Sequence, residues 1–171
     1  ADEARTRVFT GNEEQDAGRT LREGTEWLVA RFPQYENYIR AYYGRWPEML
    51  GGVHTGTIGI LKALKDSGQY KLYALTNWSA ETFPVALERY DFLGWFDGIV
   101  VSGEEKSRKP FPEFYRRLTD RYGIKMQNAL FIDDNLRNVQ AAKACGMEAI
   151  QFQSPEALEK ELRVLGIALP E

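Results

Sequence analysis

The chain has 171 residues, of which 43% are hydrophobic and 27% charged, with a formal net charge of −3. That length and balance suit one folded domain, or a core with a small accessory module, and exclude a disordered chain. The mild negative charge gives no electrostatic footprint for nucleic acid, and no apolar run is long enough for a membrane span. A single cysteine, Cys145, allows no internal disulfide and favours a reducing, cytoplasmic setting. The chain starts at Ala1 rather than Met, and its first residues lack the apolar stretch of a signal peptide.

Residues 1–50 read as helical. Thr20 and Glu23 have capping-box spacing, and Leu21, Trp27, Leu28 and Phe32 suit one apolar face of the helix that follows. Pro33 marks its end. A second helix, from about Gln34 to Trp46, carries Tyr35, Tyr38, Tyr42 and Tyr43, and Gly51-Gly52 reads as a linker. From residue 54 onward helices alternate with short apolar strands. Helices are predicted at about 56–66, from Ser79 to Tyr90, from Pro112 to Tyr122, at 136–145, and after Ser154-Pro155. Strands are predicted at 71–75, 98–101, 129–133 and 148–152. Strands separated by helices argue for an α/β protein with a parallel sheet, whose ligands sit at the carboxyl ends of the strands.

Three strand ends carry polar groups suited to chemistry. Thr76 and Asn77 place a hydroxyl and an amide before a helix, where they either bind an oxyanion or simply cap a turn. Lys109, between a loop and a Pro-started helix, either meets a phosphate or lies on the surface. Asp133 and Asp134 are adjacent carboxylates directly after an apolar strand. Their repulsion and desolvation would be offset by a hard divalent cation, Mg²⁺ above all, unless one of them serves only as a helix cap.

In this order, Leu75-Thr76-Asn77, Lys109-Pro110-Phe111-Pro112 with Tyr115, and Phe131-Ile132-Asp133-Asp134 resemble three motifs of the haloacid dehalogenase-like (HAD-like) hydrolases. The resemblance covers roughly residues 10–166 and points to the small phosphatases and 2-haloacid-dehalogenase-like proteins. It implies a helical cap at 1–50 and a Rossmann-like core with a parallel sheet at 51–171. It also implies a Mg²⁺-dependent phosphatase acting on a small phosphorylated metabolite through an aspartyl-phosphate. Thr76 would hydrogen-bond a phosphoryl oxygen with Asn77 beside it, Lys109 would bind nucleophile and phosphate, and Asp133 with Asp134 would anchor the metal. Substrate choice would lie in residues 10–50, with a sugar phosphate as the default substrate.

The chain departs from the family pattern at its first motif. No apolar strand followed by Asp-x-Asp occurs in residues 1–53, and Asp2 and Asp16 sit in polar, helix-like contexts. The expectation is that the nucleophile lies on a segment absent from this sequence and that this chain alone is inactive and prone to aggregate. The strands ending at Thr76 and Asp133 should then not be regular neighbours. The stretch around Thr10-Gly11-Asn12 is shorter than such a cap requires. Lys106 and Arg108 crowd Lys109, and Phe111 stands where an acidic residue is usual. His54 reads as a linker residue and Cys145 as a packed thiol. Two other functions fit the same scaffold: a 2-haloacid dehalogenase, disfavoured by the acidic pair, and a non-catalytic binding module.

Overall fold

A computed structural model describes residues 13–169. Asp2 and the Thr10-Gly11-Asn12 stretch lie outside the described residues. The elements, in chain order, are α1 (Leu21–Arg31), α2 (Glu36–Gly44), α3 (Thr55–Ser67), β1 (Tyr73–Thr76), α4 (Phe83–Arg89), β2 (Gly98–Val101), α5 (Ser102–Glu105), α6 (Pro112–Tyr122), β3 (Leu130–Asp133), α7 (Leu136–Ala144), β4 (Glu148–Gln151) and α8 (Pro155–Val164). The described residues form two compact units. One takes in the described part of Ala1–Gly52 with Thr76–Tyr90 and Val101–Arg108, and the other Val53–Leu75, Asp91–Val100 and the described part of Lys109–Glu171. Among the described residues no helix is long and apolar enough to cross a membrane.

In the first unit, α1 begins at the expected capping box. The Glu23 amide donates to Thr20 Oγ1 at 3.1 Å and the Thr20 amide to Glu23 Oε2 at 3.0 Å, so each residue serves the other's free N–H. The helix predicted from Gln34 to Trp46 is instead α2 flanked by 3-10 turns at Pro33–Tyr35 and Trp46–Met49. Pro47 explains the early stop, because a helical proline clashes with the carbonyl four residues before it. Pro84 does the same to the helix predicted from Ser79. Residues 79–82 form turns, Ser79 Oγ accepts from the Glu81 amide, and α4 starts only at Phe83. Leu28, Ile39, Phe83 and Ala86 are buried in this unit.

α5 has no counterpart in the sequence reading, since four residues are too few to show helical periodicity. It is nevertheless tightly fitted. Ser102 is fully buried and its Oγ accepts from the Trp78 amide at 2.9 Å, while the Gly103 amide donates to the Trp78 carbonyl at 3.0 Å. A Cβ on Gly103 would lie 2.3 Å from the Ala80 nitrogen and 2.9 Å from the Trp78 oxygen, both backbone atoms. Gly103→Ala is therefore expected to cost about 1–3 kcal/mol through overpacking. Urea unfolding would show this as a lowered midpoint, and an unchanged midpoint would mean that the two segments are not held this closely.

In the second unit, β3 and β4 pair in parallel, with Leu130 opposite Glu148 and Asp133 opposite Gln151. β1 pairs with β2, and among the described residues the two pairs do not join into one sheet. The single continuous sheet expected from the alternation thus appears as two two-stranded pieces, and β1 and β3 are not hydrogen-bonded neighbours, as anticipated. Val100, Phe114, Tyr115, Val139, Ala142 and Ala149 form one buried cluster, and Ile60, Ile150, Leu158 and Leu162 a second. Burying each large apolar side chain contributes about 1.5–3 kcal/mol. α6 starts on Pro112 and stops at Gly123, whose φ of 67° lies in the left-handed region that glycine adopts without strain. Asp97 accepts from the Leu72 amide and the Lys71 ammonium, which together hold its carboxyl below the usual range.

Candidate active site

The second unit brings together Lys109 and Asp133. Asp133 closes β3, because Leu130, Phe131 and Ile132 extend the strand and Asn135 then caps α7 by accepting from the Arg137 amide at 3.0 Å. Asp133 is therefore not the helix cap. Its Oδ2 accepts from Lys109 Nζ at 2.7 Å, and its Oδ1 accepts from the Asn135 amide at 2.9 Å and from Asn138 Nδ2 at 3.0 Å. The two charged side chains are only 11% and 6% exposed. A pair so far from water is held by geometry and by these added hydrogen bonds, since Coulomb attraction alone barely repays desolvation.

Two further groups support the pair. The Lys109 ammonium lies 5.7 Å from the Phe131 ring centroid, within cation–π range. Tyr115 is fully buried, packs edge-on against Phe131 at 5.5 Å, and donates its hydroxyl to the Asn138 carbonyl at 2.8 Å. Burial pushes the Tyr115 hydroxyl's pKa upward and the Asp133 charge adds to it, so the group remains a donor. Asn138 joins the site without a motif of its own. Its signal is its position five residues after Asp133, where the first turn of a helix can return a side chain to the strand end.

Asp134 differs from its neighbour. It is exposed, and its carbonyl accepts from Gln151 Nε2 at 3.1 Å. Arg108 reaches Glu13 at 2.8 Å, while Lys106 is exposed with φ 53°. Lys109 is the cation seated on the strand-end carboxylate. Thr76 ends β1 and is half-buried, as is Asn77, and both belong to the first unit. His54 is exposed at the start of α3, and Cys145 packs partly buried against the larger core cluster. Among the described residues no cluster of three or more His, Cys, Asp or Glu could by itself cage a metal.

Comparison with known proteins fits this arrangement. Residues 2–146 match the model of the haloacid dehalogenase-like hydrolase family. The chain is 36% identical over 106 residues to a sesquiterpene phosphatase of Aspergillus oryzae, covering 62% of this chain and 54% of that protein. It is 27% identical over 140 residues to phosphoglycolate phosphatase of Escherichia coli, covering 75% and 55%. The chain spans about half the length of these two curated relatives. A HAD family enzyme of Bacteroides thetaiotaomicron has the same fold, with a TM-score of 0.70 at 20% identity over 95% of this chain and 80% of that one. The same enzyme has also been solved in complex with magnesium and inorganic phosphate. A strand ending in a carboxylate pair, a lysine fixed on the first carboxylate and a family match over most of the length agree, and the chain belongs to the haloacid dehalogenase-like hydrolases.

Proposed function

We propose that this chain is part of a Mg²⁺-dependent phosphatase that hydrolyses small phosphate monoesters through an aspartyl-phosphate. The attacking carboxylate, on this reading, lies outside the described residues. The observation that carries the proposal is the Lys109–Asp133 pair at the end of β3, followed at once by exposed Asp134. Two relatives named as phosphatases, and a fold neighbour solved with magnesium and phosphate, support it.

The residues present fit a magnesium ion. Mg²⁺ keeps several waters and is commonly held by one or two carboxylates together with substrate phosphate. Asp134 offers an exposed carboxylate for that purpose. The Asp133 oxygens already accept three protein hydrogen bonds, so its contribution is to fix Lys109 and the start of α7. When bound, the ion would neutralise charge on the transferring phosphoryl group. Lys109 balances the remaining phosphate charge from a position set by Asp133 and Phe131. By the family resemblance, Thr76 and Asn77 offer a hydroxyl and an amide suited to phosphoryl oxygens.

The test uses the complete protein and p-nitrophenyl phosphate. EDTA should abolish hydrolysis and excess MgCl₂ should restore it. Hydrolysis undiminished by EDTA would overturn the metal-dependent reading. Magnesium binding with no turnover of any phosphate ester would favour a non-catalytic binding module instead.

A further inference from the structure

We propose that Trp46 and Trp78 form a fixed aromatic wall that receives the leaving group, so that the substrate is the phosphate ester of an alcohol with an apolar face rather than of a polyol. The inference rests on the phosphatase reading and names its substrate class. Trp78 follows Thr76 by two residues, which keeps their Cα atoms within about 7 Å of each other. A ring at that position is within reach of whatever is esterified to a phosphate held by Thr76 and Asn77.

The wall is built rather than incidental. The Trp78 ring meets Trp46 edge-on at 5.7 Å and Phe83 edge-on at 5.7 Å. Its indole N–H donates to Thr82 Oγ1 at 3.0 Å, and its backbone is fastened to Ser102 and Gly103. The turn carrying Trp46 is tethered as well. Arg89 Nη1 donates to the Pro47 carbonyl at 2.9 Å and the Tyr90 hydroxyl to the Gly51 carbonyl at 2.7 Å. All of these residues belong to one compact unit.

Exposure separates a binding wall from packing. Phe83, at the back of the stack, is buried at 5% exposure, whereas Trp46 and Trp78 are only half-buried. The indole N–H of Trp78 is already satisfied within the protein, so what that residue offers a ligand is ring surface. A polyol gains no hydrogen bond there. An apolar alcohol removes both its own surface and the ring's from water.

Benzyl phosphate and glycerol 1-phosphate, both esters of primary alcohols, provide the comparison on the complete protein with Mg²⁺. Benzyl phosphate should be preferred about tenfold in kcat/KM, the scale of a small apolar contact. Trp46→Ala should raise KM for benzyl phosphate about tenfold and bring the preference over glycerol 1-phosphate close to unity, and Trp46→Phe should restore most of the loss. Equal use of the two esters, or an equal effect of Trp46→Ala on both, would overturn the inference while leaving the phosphatase reading standing. Failure to hydrolyse either ester would overturn both.

Discussion

Lys109→Met is expected to destabilise the protein by about 3–5 kcal/mol, because it leaves the Asp133 carboxylate uncompensated at 6% exposure. A typical domain has only about 5–15 kcal/mol of stability in total, so the loss is a large share of the margin. The hydrogen bonds from Asn135 and Asn138 would remain, but neither carries a positive charge. Equilibrium urea unfolding measures the effect. The double variant Lys109→Met with Asp133→Asn should recover part of it, since a neutral amide has less to lose from burial. A single variant as stable as the parent would show that the ion pair is not what holds the end of β3.

The adjacent carboxylate should behave in the opposite way. Asp134→Asn alters an exposed side chain and is expected to change stability by no more than about 0.5 kcal/mol. On the proposed function its cost should fall on turnover, with kcat lowered about a thousandfold, because losing a metal-binding carboxylate removes several kcal/mol of charge stabilisation. Steady-state hydrolysis across a magnesium titration, beside the urea curve of the same sample, separates the two effects. Full activity in a folded Asp134→Asn variant would remove Asp134 from the metal site.

Much of this arrangement was legible in the sequence because it depends on local chemistry. The Thr20 and Glu23 capping box, Pro112 and Gly123 at the ends of α6, and Ser154 at the start of α8 all rest on hydrogen bonds or φ preferences within a few residues. The Asp133-Asp134 pair could be seen for the same reason. What could not be read was the division of labour between the two carboxylates, which depends on Lys109, Asn138 and Phe131 meeting Asp133 from separate positions in the chain. Nor could α5 be read, since its place is set by Trp78 and Ala80 rather than by its own four residues. The end of α2 and the start of α4 are set by Pro47 and Pro84, which interrupt the helical pattern of the residues around them.

The seclusion of the Lys109–Asp133 pair has a consequence for behaviour in salt. At physiological ionic strength mobile ions screen charges over about 8 Å, but only where solvent reaches them. The surface pairs Arg40–Glu26, Arg45–Glu48, Lys62–Asp66 and Arg163–Glu159 all lie roughly half exposed or more, and dissolved ions can compete for each of them. The strand-end pair, at 11% and 6% exposure, offers far less access. Ionic strength therefore acts on the outer lattice of charges, while the Lys109–Asp133 pair keeps its geometry.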